Sequence, residues 1–304
     1  MKLMDVSGLT FVTIQVLDVF VCALISVAFY TLFERKFLGL AQIRMGPNKT
    51  GLSGILQPFS DAMKLVSKTE SSPVSSSFWG VVISPAVAFL LSLTIWSVFP
   101  SFYGMFSLNL GFLVVLMYLS LTAYPLIFAG WFSNSKYASI GGIRAVALSL
   151  SYEIPLSFSI LGMILMLKSP NPSCWGQMNL VSGLVYSQMG MMFVILVCLL
   201  VESGRSPFDL AEGESELVSG YCVEYGGGMY VLVFLSEYLA MFFSGVVISM
   251  LSFQSPIVVF LVVGISAWIR STLPRVRFDS LMGMGWLILT PLSMGLFFMN
   301  CSFQ

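Results

Sequence analysis

Residues 202–228 read ESGRSPFDLAEGESELVSGYCVEYGGG. The chain on either side is oily: GMMFVILVCLLVE leads in over 190–202 and MYVLVFLSEYLAMFFSGVVISML leads out over 229–251. Six of the fourteen acidic residues fall in this one stretch: Glu202, Asp209, Glu212, Glu214, Glu216 and Glu224. A charge cluster between two membrane-length apolar runs calls for water, partners or a chemical purpose, because an isolated charge is costly in an apolar medium.

Working outward, the same pattern of long apolar runs covers the chain. Hydrophobic residues make up 57% and charged residues 9%, against about 25% charged in a soluble domain. A membrane helix needs about 20 mostly apolar residues. Eight runs meet that need, at about 11–33, 79–99, 108–131, 143–167, 184–202, 229–251, 256–273 and 281–300. A membrane β-barrel would instead show alternating segments of about ten residues. The expected fold is therefore all-α: a polytopic membrane protein with eight transmembrane helices, forming one membrane domain over 1–304. The first run lacks a small-residue cleavage site and is too long for a signal-peptide core, so it reads as a retained helix.

Lysine and arginine set the orientation. With eight spans, the odd-numbered loops share one side and carry Arg35, Lys36, Arg44, Lys49, Lys64, Lys68, Lys136, Arg144, Arg205, Arg270, Arg275 and Arg277. The other side carries only Lys2 and Lys168. Twelve against two is a strong positive-inside asymmetry. Ten of the acids lie on the basic side as well, a mixed polarity suited to docking a charged soluble partner. The formal net charge of zero gives no reason to expect nucleic acid.

The first of these loops is long. GPNKT at 46–50 is turn chemistry. Beyond it Leu52, Ile55, Leu56, Phe59, Met63 and Val66 recur at helical spacing, with polar residues between them, predicting an amphipathic helix over about 52–68. Such a helix is either a peripheral anchor or one wall of an opening for a lipid-soluble ligand.

Three acids stand inside predicted spans: Asp18 in the first, Glu153 in the fourth and Glu237 in the sixth. An acid at the bilayer centre costs about 2.5–3.5 kcal/mol on insertion scales, so it faces a cavity or a partner. Glu153 and Glu237 fit a proton or ion pathway, or else a buried pair that only fixes packing. In the acidic loop over 203–228, Pro207 precedes a helix-compatible run. There Asp209, Glu212 and Glu216 would share one face and Glu214 would point away. Three carboxylates on one stripe repel one another and suit the holding and passing of protons; the plainer alternative is a solvated acidic helix.

The chain has no histidine, and its five cysteines show no ligand or redox spacing. Histidine-held haem, histidine zinc sites and histidine acid–base chemistry are thereby excluded, and no metal site is expected. Any electrons would travel on another chain. Gly226-Gly227-Gly228 is not a phosphate loop, since no strand precedes it and no nucleotide-binding pattern surrounds it.

Longer motifs carry a family resemblance. Glu34-Arg35-Lys36, QIRMGPN at 42–48, QPFSDAMK at 57–64, Arg144-Ala145, Ser151-Tyr152-Glu153, the run from Arg205 to Gly220, Glu224-Tyr225, Glu237-Tyr238 and the segment from Trp268 to Asp279 together resemble the NADH dehydrogenase (ubiquinone) subunit 1 family. These are the quinone-site membrane subunits of mitochondrial respiratory complex I. The resemblance spans nearly the whole chain, and the long acidic-loop motif is highly specific.

It implies a subunit of a proton-translocating NADH:ubiquinone oxidoreductase in the mitochondrial inner membrane, with the first long loop and the acidic loop on the matrix side. Its partners would be the other membrane-arm and hydrophilic-arm subunits, ubiquinone and membrane lipids. Ubiquinone would be the substrate, with no covalently bound cofactor here, and NADH, FMN and iron–sulfur clusters would sit on partner subunits. Arg35, Ala62, Phe234 and Arg270 would lie along the quinone tunnel or near its mouth. Glu153, Glu202, Asp209, Glu212, Glu214, Glu216, Glu224 and Glu237 would form an acidic proton path, tuned by Arg144 and Arg205. This chain departs from the family where Ser203-Gly204 replaces a Thr-Asn pair, loosening the helix end. It departs again where Gly283 and Leu287 replace a histidine and a lysine in the last helix. A stand-alone proton or sodium transporter is the alternative, but the inverted repeats or paired broken helices common in transporters are not evident. A purely structural anchor for a redox arm would tolerate neutralised acids.

Overall fold

The computed structural model describes residues 6–69, 76–99, 109–172, 188–210, 220–252 and 255–302. Among them every regular element is helical, in chain order α1 (Val6–Ala41), α2 (Gln57–Val66), α3 (Phe78–Thr94), α4 (Gly111–Leu121), α5 (Ala123–Phe132), α6 (Lys136–Leu167), α7 (Met189–Glu202), α8 (Gly227–Leu251), α9 (Pro256–Thr272), α10 (Phe278–Gly283) and α11 (Thr290–Ser302). Six helical stretches are long and apolar enough to cross a membrane; α7 and α9 are apolar but shorter. Each of the eight predicted runs coincides with one of these stretches or shorter helices.

The boundaries differ from expectation in instructive ways. α1 continues to Ala41, so Glu34, Arg35 and Lys36 stand on a helix and not in a loop. A helix needs no apolar side chains to continue, only its ladder and partners for its charges. α6 begins at Lys136, capped by Ser135, whose hydroxyl accepts from the Ala138 N–H at 3.4 Å. Arg144 is therefore two turns inside α6, where the apolar run placed it at the opening. The third run divides at Thr122 because Pro125 has no N–H and crowds the preceding turn. The last helix widens into a π segment over Met284–Leu289.

The predicted loop-one helix starts five residues late. Gly51, Ser53 and Gly54 adopt left-handed backbone angles around a short 3-10 turn at Leu52–Gly54. α2 then opens with Pro58 in its first turn, where a missing N–H costs nothing. Its apolar residues Phe59, Met63 and Val66 are largely exposed. Three contacts stitch this region to the end of α1: Arg35 to Asp61 at 2.5 Å, Lys36 to the Ser53 carbonyl at 2.7 Å, and Phe29 edge-on to Phe59 at 6.3 Å.

α6 and α8 are the most enclosed helices, and α1 is the most peripheral of the long ones. The core runs from Tyr152, Leu156 and Ile160 of α6 through Ile195 and Cys198 of α7 to Leu239, Phe243 and Val247 of α8. α5 and α6 approach closely at Gly130 and Gly142, where a Cβ on Gly130 would come within 2.8 Å of the Ala138 carbonyl oxygen. This small-residue contact is the membrane route to tight packing. It holds the first turns of α6 against α5.

Candidate functional site

Two regions meet along α8. The first is a cavity of 160 Å³, roomy enough for several waters, enclosed by α3, α5, α6, α7 and α8. Its walls are mostly apolar (Leu91, Leu148, Leu199, Phe243 and Val247 among them), but Glu202, Glu237, Ser84, Ser236 and Tyr221 open onto it. Glu237 is held from two sides. The Tyr221 hydroxyl donates to Oε1, and Arg205 Nη2 lies 3.5 Å from Oε2. Glu202 ends α7, and its charge and that of Glu153 on α6 lie close enough to act on each other. Beside the cavity, Tyr225 shares a hydrogen bond with Ser84 at 2.9 Å. Burial pushes its phenol pKa up.

The second region lies on the opposite flank of α8, where it faces α1 and α9. Glu34 is 3% exposed. It pairs with Arg270 and accepts from the Tyr238 hydroxyl at 2.8 Å, so its charge is balanced and hydrogen-bonded as a buried charge requires. Around it gather Tyr30, Phe33, Phe234 and Phe242, with Phe234 and Tyr238 ring centroids 4.4 Å apart. Arg35 and α2 stand outside this aromatic corner.

Arg205 joins the two regions. Its guanidinium sits 3.9 Å from the Tyr238 ring centroid and 5.9 Å from that of Phe234, while reaching Glu237 on the cavity side. A planar cation can stack on an aromatic face and bond a carboxylate at once, which an ammonium does less well. The polar chain therefore runs without interruption from Arg270 through Glu34, Tyr238, Arg205 and Glu237 to Tyr221.

A family model for NADH dehydrogenase matches residues 14–301. The chain belongs to the NADH dehydrogenase family. Its similar relatives include NADH-ubiquinone oxidoreductase chain 1 of Anopheles gambiae, 41% identical over 285 residues that cover 91% of each chain. The protein of the same name from Balaenoptera physalus is 40% identical and covers 93% of each chain. That from Strongylocentrotus purpuratus is also 40% identical, covering 94% of this chain and 93% of the relative.

For this member of the NADH dehydrogenase family, the structure sorts the residues singled out from sequence. Glu202 and Glu237 reach the cavity, with Glu153 beside Glu202. Arg205 lies 3.5 Å from Glu237. Arg144 lies over the Phe278 ring at 5.8 Å, and Glu224 is half-buried without lining the cavity. Glu212, Glu214 and Glu216 lie outside the described residues. Asp209 does not stand on a helix. After Pro207 the chain turns through Phe208 N–H to Arg205 carbonyl and Leu210 N–H to Phe208 carbonyl bonds, the Val276 N–H pins the Pro207 carbonyl, and Arg275 holds Asp209 at 3.2 Å. The expected face shared with Glu212 and Glu216 therefore loses its first member.

The tunnel candidates divide as well. Phe234 and Arg270 belong to the aromatic corner, whereas Arg35 and Ala62 are exposed on α1 and α2. Asp18, expected to face a cavity or partner, is exposed on the outer side of α1 among Ile14, Leu17 and Val21. Gly204 ends α7 with a left-handed φ of 61° and its N–H on the Val201 carbonyl. It thus terminates the helix as glycine commonly does and does not loosen it. A Cβ on Gly283 would meet nothing within 4 Å, and Leu287 is 79% exposed, so neither departure in the last helix disturbs packing here.

Glu34 and Tyr238 stand in the sequence only as members of quoted motifs, and Tyr221 only inside the acidic stretch, with no role attached to any of the three. The signal for Glu34 was available, since extending α1 by two turns makes it one more acid on a membrane helix. For the tyrosines nothing in the local sequence separates a hydrogen-bonding phenol from an ordinary core aromatic.

Proposed function

We propose that this chain is the membrane subunit of a proton-translocating NADH:ubiquinone oxidoreductase that shapes the quinone tunnel and couples quinone reduction to proton movement. Membership of the family and relatives named as chain 1 of that enzyme support the general role of a respiratory complex I membrane subunit. The finer reading assigns eight spans to one membrane domain in the mitochondrial inner membrane, with the first long loop and the acidic loop facing the matrix. The other membrane-arm and hydrophilic-arm subunits would be its partners, together with membrane lipids. NADH, FMN and the iron–sulfur clusters would reside on the partners, and ubiquinone would enter from the lipid.

The observation that carries the coupling is the bridge at Arg205, which touches an aromatic corner on one side and a carboxylate in a cavity on the other. In this reading ubiquinone slides between α1, α2 and α8 past Arg35, Ala62, Phe234 and Arg270. Its reduction at the interface with the hydrophilic arm changes the local charge. Arg205 transmits that change by shifting its balance between Tyr238 and Glu237. Protons then move along Glu237 and Glu202, which line the cavity, and on to Glu153, whose charge acts on Glu202. Asp209, Glu212, Glu214, Glu216 and Glu224 are assigned to the same path, and Arg144 tunes it from α6. A positioned charge relay of this kind needs no redox centre in the chain itself.

The test is to replace Glu153 or Glu237 by Gln in the assembled complex. Quinone-coupled turnover and proton pumping are expected to fall while the complex remains detectable and still oxidises NADH with an artificial acceptor. Wild-type turnover and pumping in both variants would sink the acidic path.

A further inference from the structure

Arg205 and Tyr221 meet the Glu237 carboxylate at unequal closeness. Arg205 stands at 3.5 Å from one oxygen, the long edge of a hydrogen bond, while the Tyr221 hydroxyl bonds the other closely. Tyr221 itself is 2% exposed and belongs to a small packed cluster with Val81, Ala129 and Val233. It sits on a 3-10 turn, Gly220–Cys222, that lies directly against α6. A Cβ on Gly141 would come within 2.8 Å of the Tyr221 backbone nitrogen. The turn therefore has little freedom, and the phenol is delivered to the cavity wall in a fixed place.

We infer that Tyr221 is a positioning residue of the acidic path, holding the Glu237 carboxylate open to the cavity and away from full closure on Arg205. This rests on the reading of Glu237 as part of that path. The physical reason is a competition for one acceptor. A carboxylate facing a guanidinium gains most by turning both oxygens onto it. At Glu237 one oxygen is already held by a buried phenol on a rigid turn, so turning that oxygen onto Arg205 would pull it off the phenol, and the acid stays in contact with the cavity. With the hydroxyl removed, that hold is lost and the balance tips toward Arg205, which draws the carboxylate out of the path and weakens the hold of Arg205 on Tyr238. Because the turn is packed on α6, which also carries Glu153, the same contact ties the orientation of Glu237 to the position of that helix.

The experiment is Tyr221→Phe in the assembled complex, in sealed membrane vesicles. The ring stays and only the hydroxyl goes. Quinone-coupled turnover is expected to fall about tenfold, the size of one lost hydrogen bond to a charged group. The amount of assembled complex and its NADH oxidation with an artificial acceptor should be unchanged. The carboxyl infrared band that disappears in Glu237→Gln should shift in Tyr221→Phe. Wild-type pumping with an unmoved band overturns the inference. Ring-labelled tyrosine supplies a second measurement that needs no change at Tyr221: Glu237→Gln must move one tyrosine C–O stretch, and no movement overturns the inference too. The two readings fail separately. Unimpaired Glu237→Gln defeats the acidic path, whereas impaired Glu237→Gln with unimpaired Tyr221→Phe defeats only the role of Tyr221.

Discussion

Glu237 and Tyr238 are neighbours in sequence and serve opposite regions. Glu237 turns into a cavity of 160 Å³ with room for water. Tyr238, 4% exposed, turns into an aromatic corner and donates to Glu34. The cavity leaves its acids partly open, with Glu237 loosely paired and Glu202 and Glu153 facing each other's charge. The corner instead closes every bond of Glu34 between Arg270 and Tyr238. A group meant to exchange protons must retain an accessible alternative partner, while a group meant to hold helices in register must not. In the proposed reading, the difference places mobile charge on the cavity side of α8 and fixed contacts on the side facing α1 and α9.

The strongest way to break this contrast is at Glu34. Glu34→Ala leaves the half-buried Arg270 without its partner and takes the acceptor from the buried Tyr238 hydroxyl, a loss of hydrogen bonds to a charged group of about 1.5–3 kcal/mol. The expected outcome is a collapse in the amount of assembled complex, read on native gels, with Glu34→Leu combined with Arg270→Met restoring much of it. On the cavity side the same kind of change should spare assembly. Glu202→Gln is expected to lower quinone-coupled turnover at least about tenfold, equivalent to about 1.4 kcal/mol of barrier, at a normal level of complex.

Arg205 tests the seam between the regions. Arg205→Lys keeps the charge and loses the planar stack on Tyr238, worth about 1–2 kcal/mol when partly desolvated. Uncoupling is expected: quinone reduction proceeds faster than proton translocation, measured as protons moved per NADH oxidised. Equal loss of both would place Arg205 in assembly alone. The smallest effect belongs to the exposed pair between Arg35 and Asp61. Arg35→Gln should cost under about 1 kcal/mol of stability and act on the apparent KM for short-tailed quinones more than on kcat.

Much of this architecture could be read from the residues, and what escaped did so for physical reasons. The apolar runs locate the helices because burying a backbone in lipid demands internal hydrogen bonds, and that demand is indifferent to detail. The ends are another matter. The apolar run of α1 ends at Phe33 because the next three residues are charged, yet those charges find Arg270, Asp61 and the Ser53 carbonyl only through tertiary contacts. Asp209 was placed on a helix by its spacing, and the pairing with Arg275 from a distant loop overrode that. The π segment at Met284–Leu289 has the same composition as the helix around it and carries no local signature. For the site, the intramembrane acids Glu153 and Glu237 stood out because charges there are rare. Tyr221 and Tyr238 did not, since their importance lies in which carboxylate each one meets.

The central claim is that quinone and protons use opposite sides of α8. The most direct measurement is a structure of the assembled complex with a short-tailed quinone bound. The account predicts quinone density between α1, α2 and α8 beside Phe234, and ordered water in the cavity between Glu202 and Glu237. Quinone density inside that cavity, or an absence of quinone from the α1, α2 and α8 corner, would contradict it.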